Sequence, residues 1–158
     1  MTITSAVYLV LLLLLWIIFS ILLNNRKNGT DFANYTLKKY LLNKSEQILY
    51  TALIKEFGKE YLILTKVRIE DFVEAKSYRL RNRIKSRHVD FLICKISDTS
   101  PLLAIELDGN SHNNPERKSR DLFVNDLYRS IGLPIRHIQV GSDFKIEIYQ
   151  INKLLNQL

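Results

Sequence analysis

Two carboxylates, Glu106 and Asp108, stand two residues apart in IELDGNSH (105–112), and His112 follows them across a glycine. If this stretch is a strand, residues two apart share a face, so both acids project together while Leu107 points the other way. Asp90 lies near the start of an earlier apolar stretch, HVDFLICKI, and would lie beside them if the two strands pair. Three acids meeting at strand ends make an oxygen-only donor set suited to Mg²⁺ or Mn²⁺, hard ions that keep several waters. Such an ion can activate a water and stabilise charge building on a phosphodiester being cut. Acids are usually solvated, but Glu106 directly follows the apolar run LLAI, where a charge is costly without a partner. Glu46 is a fourth candidate ligand, although Asn43 three residues before it makes a capping box an equally good explanation. An imidazole such as that of His112 can donate to a phosphate or move a proton near neutrality. A lone loop histidine is also ordinary polar surface.

A second constellation precedes Asp90. AKSYRLRNRIKSRH holds Lys76, Arg79, Arg81, Arg83, Lys85 and Arg87 and no acid. From Arg79 to Arg87 the cations fall at every second position, so an extended chain would set all five on one face. That face would track phosphates with sequence-independent, salt-dependent affinity. DNA is the leading partner and RNA the lesser one. Tyr78 is the one aromatic beside them, so base readout is not indicated. The same cations would also suit anionic lipid headgroups, or simply a solvated loop.

The elements that must position these residues follow from periodicity. In NKSEQILYTALIKEFG the apolar residues Ile48, Leu49, Ala52, Leu53 and Phe57 recur at helical spacing, and Gly58 is a stop. YLILTKVRI, HVDFLICKI and PLLAIELDG read as strands, the last two joined by SDTSP as an antiparallel hairpin. Asn114, Pro115 and Glu116 open a helix running to Ser130 and stopping at Gly132, and LPIRHIQV is a fourth strand. FKIEIYQINKLLNQL mixes both periods, and the spacing of Ile148, Ile151, Leu154 and Leu155 favours a helix. The expected architecture is α/β, a central mixed sheet with helices on both faces.

The N-terminal stretch is different in kind. Thr2 to Leu23 carries no charge, enough for a bilayer-spanning helix of about 20 residues. No basic residue precedes it, whereas Arg26, Lys27, Lys38, Lys39 and Lys44 follow, so the positive-inside rule places the C-terminal domain in the cytoplasm. The expected organisation is a transmembrane anchor over 1–24, a polar tether over 25–40 and a folded domain over 41–158, at the inner or cytoplasmic membrane. The 23 Lys+Arg against 16 Asp+Glu leave +7, which points to polyanionic partners. The single cysteine, Cys94, excludes an intramolecular disulfide framework and any Cys-based zinc cluster.

KSEQILYTAL, SRHVDFLIC, PLLAIELDGNSH and ERKSRDLFVNDLYRSIGLPIRHI together resemble the domain-of-unknown-function family 2726. That family is grouped with the PD-(D/E)XK, or restriction-endonuclease-like, nucleases and their very-short-patch-repair branch. The resemblance covers about residues 41 to 140. It implies an αβββαβ core and divalent-metal phosphodiester chemistry, with Asp90 as the strand aspartate, Glu106 as the second acid and Glu46 as the acid on the first helix. The acid-x-lysine of the superfamily is here Glu106-Leu107-Asp108, so either the cation comes from elsewhere, with Lys118, Arg117 or His112 as candidates, or the metal alone activates the water, or the domain binds without cutting. The expectation is a membrane-anchored, Mg²⁺- or Mn²⁺-dependent nuclease, with Asp90, Glu106, Asp108, His112 and Lys118 at the reaction and Arg117 joining the basic residues on nucleic acid. The alternatives are a catalytically silent nucleic-acid-binding module and a lipid- or partner-docking domain.

Overall fold

The computed structural model describes residues 3–27, 32–109 and 115–158, with backbone alone for 3, 4, 6, 23–27, 33 and 115–121. The chain divides into two units, Met1–Lys39 and Tyr40–Leu158. The first holds α1 (Ile3–Lys27) and a single 3-10 turn, Phe32–Asn34. Among the described residues no helix is long and apolar enough to cross a membrane.

The second unit runs α2 (Lys44–Phe57), β1 (Tyr61–Arg68), α3 (Tyr78–Ile84), β2 (His88–Lys95), β3 (Pro101–Asp108), α4 (Pro115–Ile131), β4 (Ile135–Gln139) and α5 (Phe144–Leu155). One sheet has the order β1-β2-β3-β4. The first three strands are antiparallel neighbours, and β4 returns through α4 to lie parallel to β3. A parallel neighbour requires such a crossover, whereas β2 and β3 need only their tight turn. The expected mixed sheet with helices on both faces is therefore present, with α3 as an additional element.

Each face has its own core. Leu49, Leu53 and Phe57, one helical turn apart on α2, pack with Ile151 of α5 against Phe91, Ile93, Leu103 and Ile105. On the other face Ile84 of α3 and Tyr128 of α4 meet Leu92, Cys94 and Ala104. Gly58 closes α2 because a Cβ there would stand 2.6 Å from the Ile54 carbonyl oxygen. Gly132 ends α4 at φ +70, where glycine carries no steric penalty.

The basic segment departs from expectation. Residues 78–84 form α3, capped by Ser77, whose hydroxyl accepts from the Leu80 amide. Arg79, Arg81, Arg83, Lys85 and Arg87 therefore do not share one extended face. A ribbon with five like charges on one side is repulsive, while the helix buries Ile84 to 3 % exposure and satisfies its first turn. Arg81 pairs instead with Glu70, and the Arg83 and Arg87 guanidinium groups lie 3.9 and 5.3 Å from the Phe123 ring centroid.

Candidate acidic site at the sheet end

The strands change face at one point. In β1, Ile63 belongs to the α2 side, but Val67, four residues on, packs on the α4 side. Its neighbour β2 does the same, with Phe91 and Ile93 on the α2 side and Val89 on the other. Strict alternation would keep residues an even number apart on one face. The break falls between the pairs Thr65↔Phe91 and Val67↔Val89, leaving Lys66 and Asp90 opposite one another within the interruption. Lys66 adopts φ +54, a left-handed conformation that costs a residue with a Cβ on the order of 1–3 kcal/mol.

That backbone carries the Lys66 ammonium between two acids, 2.8 Å from Glu46 Oε1 and 2.6 Å from Asp90 Oδ1. Both acids are buried, each 8 % exposed. Their second oxygens are engaged as well. Asn43 N–H donates to Glu46 Oε2 at 2.9 Å, while Asn43 Oδ1 accepts from the Glu46 amide, completing the capping box. Leu107 N–H donates to Asp90 Oδ2 at 2.8 Å. The Asp90 carboxylate thereby supplies the acceptor that a continuing β2 backbone would have offered to β3. Burial opposes the charge on Lys66, but hydrogen bonds and Coulomb attraction from Asp90 and Glu46 outweigh it and raise its pKa. The lysine is held as an ammonium ion.

The other acids lie toward β4 and α4. Glu106 is half-buried and faces His137 in the parallel register. Asp108 Oδ2 lies 3.1 Å from His137 Nδ1, and His137 Nε2 lies 2.9 Å from Asn125 Oδ1 on α4. Tyr128 is fully buried, its hydroxyl has no hydrogen-bond partner among the described residues, and burial first and the Glu106 charge second push the phenol above its usual range. Asp90 reaches the backbone of Leu107, so it meets the same short segment of β3 that carries Glu106 and Asp108.

Of the residues singled out from sequence, Glu46 and Asp90 are thus joined through Lys66, and Asp108 is joined to His137. Among the described residues no group of three or more His, Cys, Asp and Glu side chains is arranged to hold a metal ion. His112 and the side chains of Arg117 and Lys118 lie outside the described residues. Glu46 takes the capping role expected for it, one oxygen accepting from the Asn43 amide, while its other oxygen holds Lys66. Lys66 was not anticipated. The available signal is a lysine in the middle of the apolar strand YLILTKVRI, where a charge requires partners.

Comparison with known proteins agrees with the extent of the second unit. The family described as Protein of unknown function (DUF2726) matches residues 38–158. An uncharacterized protein of Haemophilus influenzae is 30 % identical over 99 residues, spanning 61 % of this chain and 52 % of the relative. The match thus covers about half the relative's length. No solved structure matches the chain.

Proposed function

This chain belongs to the DUF2726 family, and from that premise we propose that it is a divalent-metal-dependent nuclease acting on DNA, tethered to a membrane by α1. The observation that carries the proposal is the meeting of Glu46 from α2 and Asp90 from β2 beside the β3 segment bearing Glu106, at one interruption of the sheet. This is the arrangement that the resemblance to restriction-endonuclease-like nucleases implies for the acids. Its αβββαβ order is matched by α2, β1, β2, β3, α4 and β4, with α3 inserted between β1 and β2.

The acids suit a hard ion in a limited way. Each of the four oxygens of Glu46 and Asp90 accepts one hydrogen bond, and a carboxylate oxygen has two lone pairs. Mg²⁺ commonly takes one or two carboxylates and keeps its waters, which Glu46 and Asp90 can provide without a closed cage. A bound Mg²⁺ or Mn²⁺ would supply Lewis acidity and a more acidic water. The protein's own part is to fix Asp90 by the Leu107 amide, to fix Glu46 by the helix cap, and to keep a positive charge between them. Asp108 takes a supporting place, oriented by His137. Exposed Arg79 and Lys85 are proposed for phosphate contacts, together with Arg83, Arg87 and Arg117.

The proposed tether rests on the uncharged run from Thr2 to Leu23, and the cations that follow it favour the cytoplasmic side for Tyr40–Leu158. The test is plasmid cutting by the full chain in detergent with Mg²⁺ or Mn²⁺. Cutting should disappear in Asp90→Asn with Glu106→Gln, and cutting that survives the pair would overturn the assignment.

One observation favours a second reading, a binding module that does not cut. Lys66 already neutralises much of the Glu46–Asp90 pair, so the site is stable without an ion. Salt-sensitive DNA binding with no cleavage under any divalent ion would select it.

A further inference from the structure

We infer that Lys66 donates directly to a phosphate oxygen of the nucleic acid, making it the cationic group of the cleavage centre. This rests on the nuclease proposal for the Glu46–Asp90 end of the sheet, but its carriers are features of the lysine itself. The residue is left-handed in the middle of a strand, and such strain persists where surroundings over-determine a position, frequently at functional sites. An extended lysine at 66 would have continued both the β1–β2 ladder and the alternation of faces. Instead the sheet is interrupted on both strands at the one place that brings this ammonium to the acids.

The ammonium is also incompletely used. It has three N–H donors, of which one goes to Glu46 and one to Asp90. No third partner is present among the described residues, and 23 % of the side chain faces solvent. A lysine serving only to hold α2 on the sheet would gain from enclosing its last donor. Here that donor has no partner among the described residues, on a side chain that reaches solvent. A phosphate oxygen meeting it would form a charge-assisted hydrogen bond. Glu46 and Asp90 hold the nitrogen in place, so little reorganisation is needed when negative charge builds on the phosphate.

The test uses the full chain in detergent micelles with its lysine side chains labelled with ¹⁵N. A short DNA duplex added without divalent metal should move the Lys66 Nζ resonance. In Mg²⁺, Lys66→Met should lower the single-turnover cleavage rate on the order of 100-fold while changing duplex affinity by no more than about threefold. Lys66→Arg, which keeps the charge and the ion pairs, should restore the rate to within about tenfold of the original. A thermal melt of each variant separates these effects from loss of fold, and Lys66→Arg serves if Lys66→Met does not fold. A resonance unmoved by saturating duplex, or cleavage unchanged in a folded Lys66→Met, would overturn the inference. If the original chain cuts no DNA, the nuclease proposal fails by itself. The resonance then decides alone: a shift upholds a phosphate contact at a binding site, and no shift ends it.

Discussion

Two groups of polar residues stand at the same end of the sheet and are built differently. Glu46, Lys66 and Asp90 come from α2, β1 and β2, and both carboxylates are buried with every oxygen engaged. Asp108, His137 and Asn125 come from β3, β4 and α4, and the side chains of Asp108 and His137 keep about a third of their surface in solvent. Buried charges are costly unless fully partnered, whereas an exposed pair is screened and loses little when broken. The first group should therefore govern both stability and chemistry, and the second should mainly orient Asp108.

Substitutions can separate the two. The largest loss is expected for Asp90→Ala, which leaves Lys66 with Glu46 alone and orphans the Leu107 amide. Chemical denaturation of the full chain in detergent should show about 3 kcal/mol less stability. Glu46→Ala removes an ion-pair partner and a cap together and should cost about 2 kcal/mol, while Glu46→Gln should recover about half of that by keeping the cap. His137→Ala belongs to the exposed group and should change stability by no more than about 1 kcal/mol. A loss for His137→Ala equal to that for Asp90→Ala would erase the distinction.

Lys66 adds a pH dependence of its own. Its pKa is raised on folding, so the folded state holds the proton more tightly than the unfolded state. The stabilisation is complete below the ordinary lysine range of about 10.4 and is lost as pH climbs through the raised value. Denaturation midpoints followed through alkaline pH should decline in the original chain, and part of that decline should be missing in Lys66→Met.

The contrast also explains what sequence could reveal. Strands β1 to β4, the β2–β3 hairpin and helices α2, α4 and α5 follow from local periodicity and end signals, and the structure places them close to where those signals lie. The Asn43–Glu46 cap is likewise a local pattern. Lys66 meets acids 20 and 24 residues away in sequence, through a backbone turn that no neighbouring residue announces. Local patterning cannot register such a contact, although a lysine within an apolar strand marks the need for one. Helix α3 was hidden for another reason. Alternating arginines gave a period of two, while Leu80, Ile84 and the Ser77 cap carried the helical signal that prevailed. Burying Ile84 and capping the first turn outweighed a charge pattern with no buried partner.

The central claim is that the buried group, not the exposed one, forms the cleavage centre. Single-turnover DNA cleavage in Mg²⁺, measured side by side for Asp90→Asn and His137→Ala in the full chain, tests it most directly. The account predicts a loss on the order of 100-fold or more for Asp90→Asn and less than about tenfold for His137→Ala. Full activity in Asp90→Asn with activity abolished in His137→Ala would contradict it.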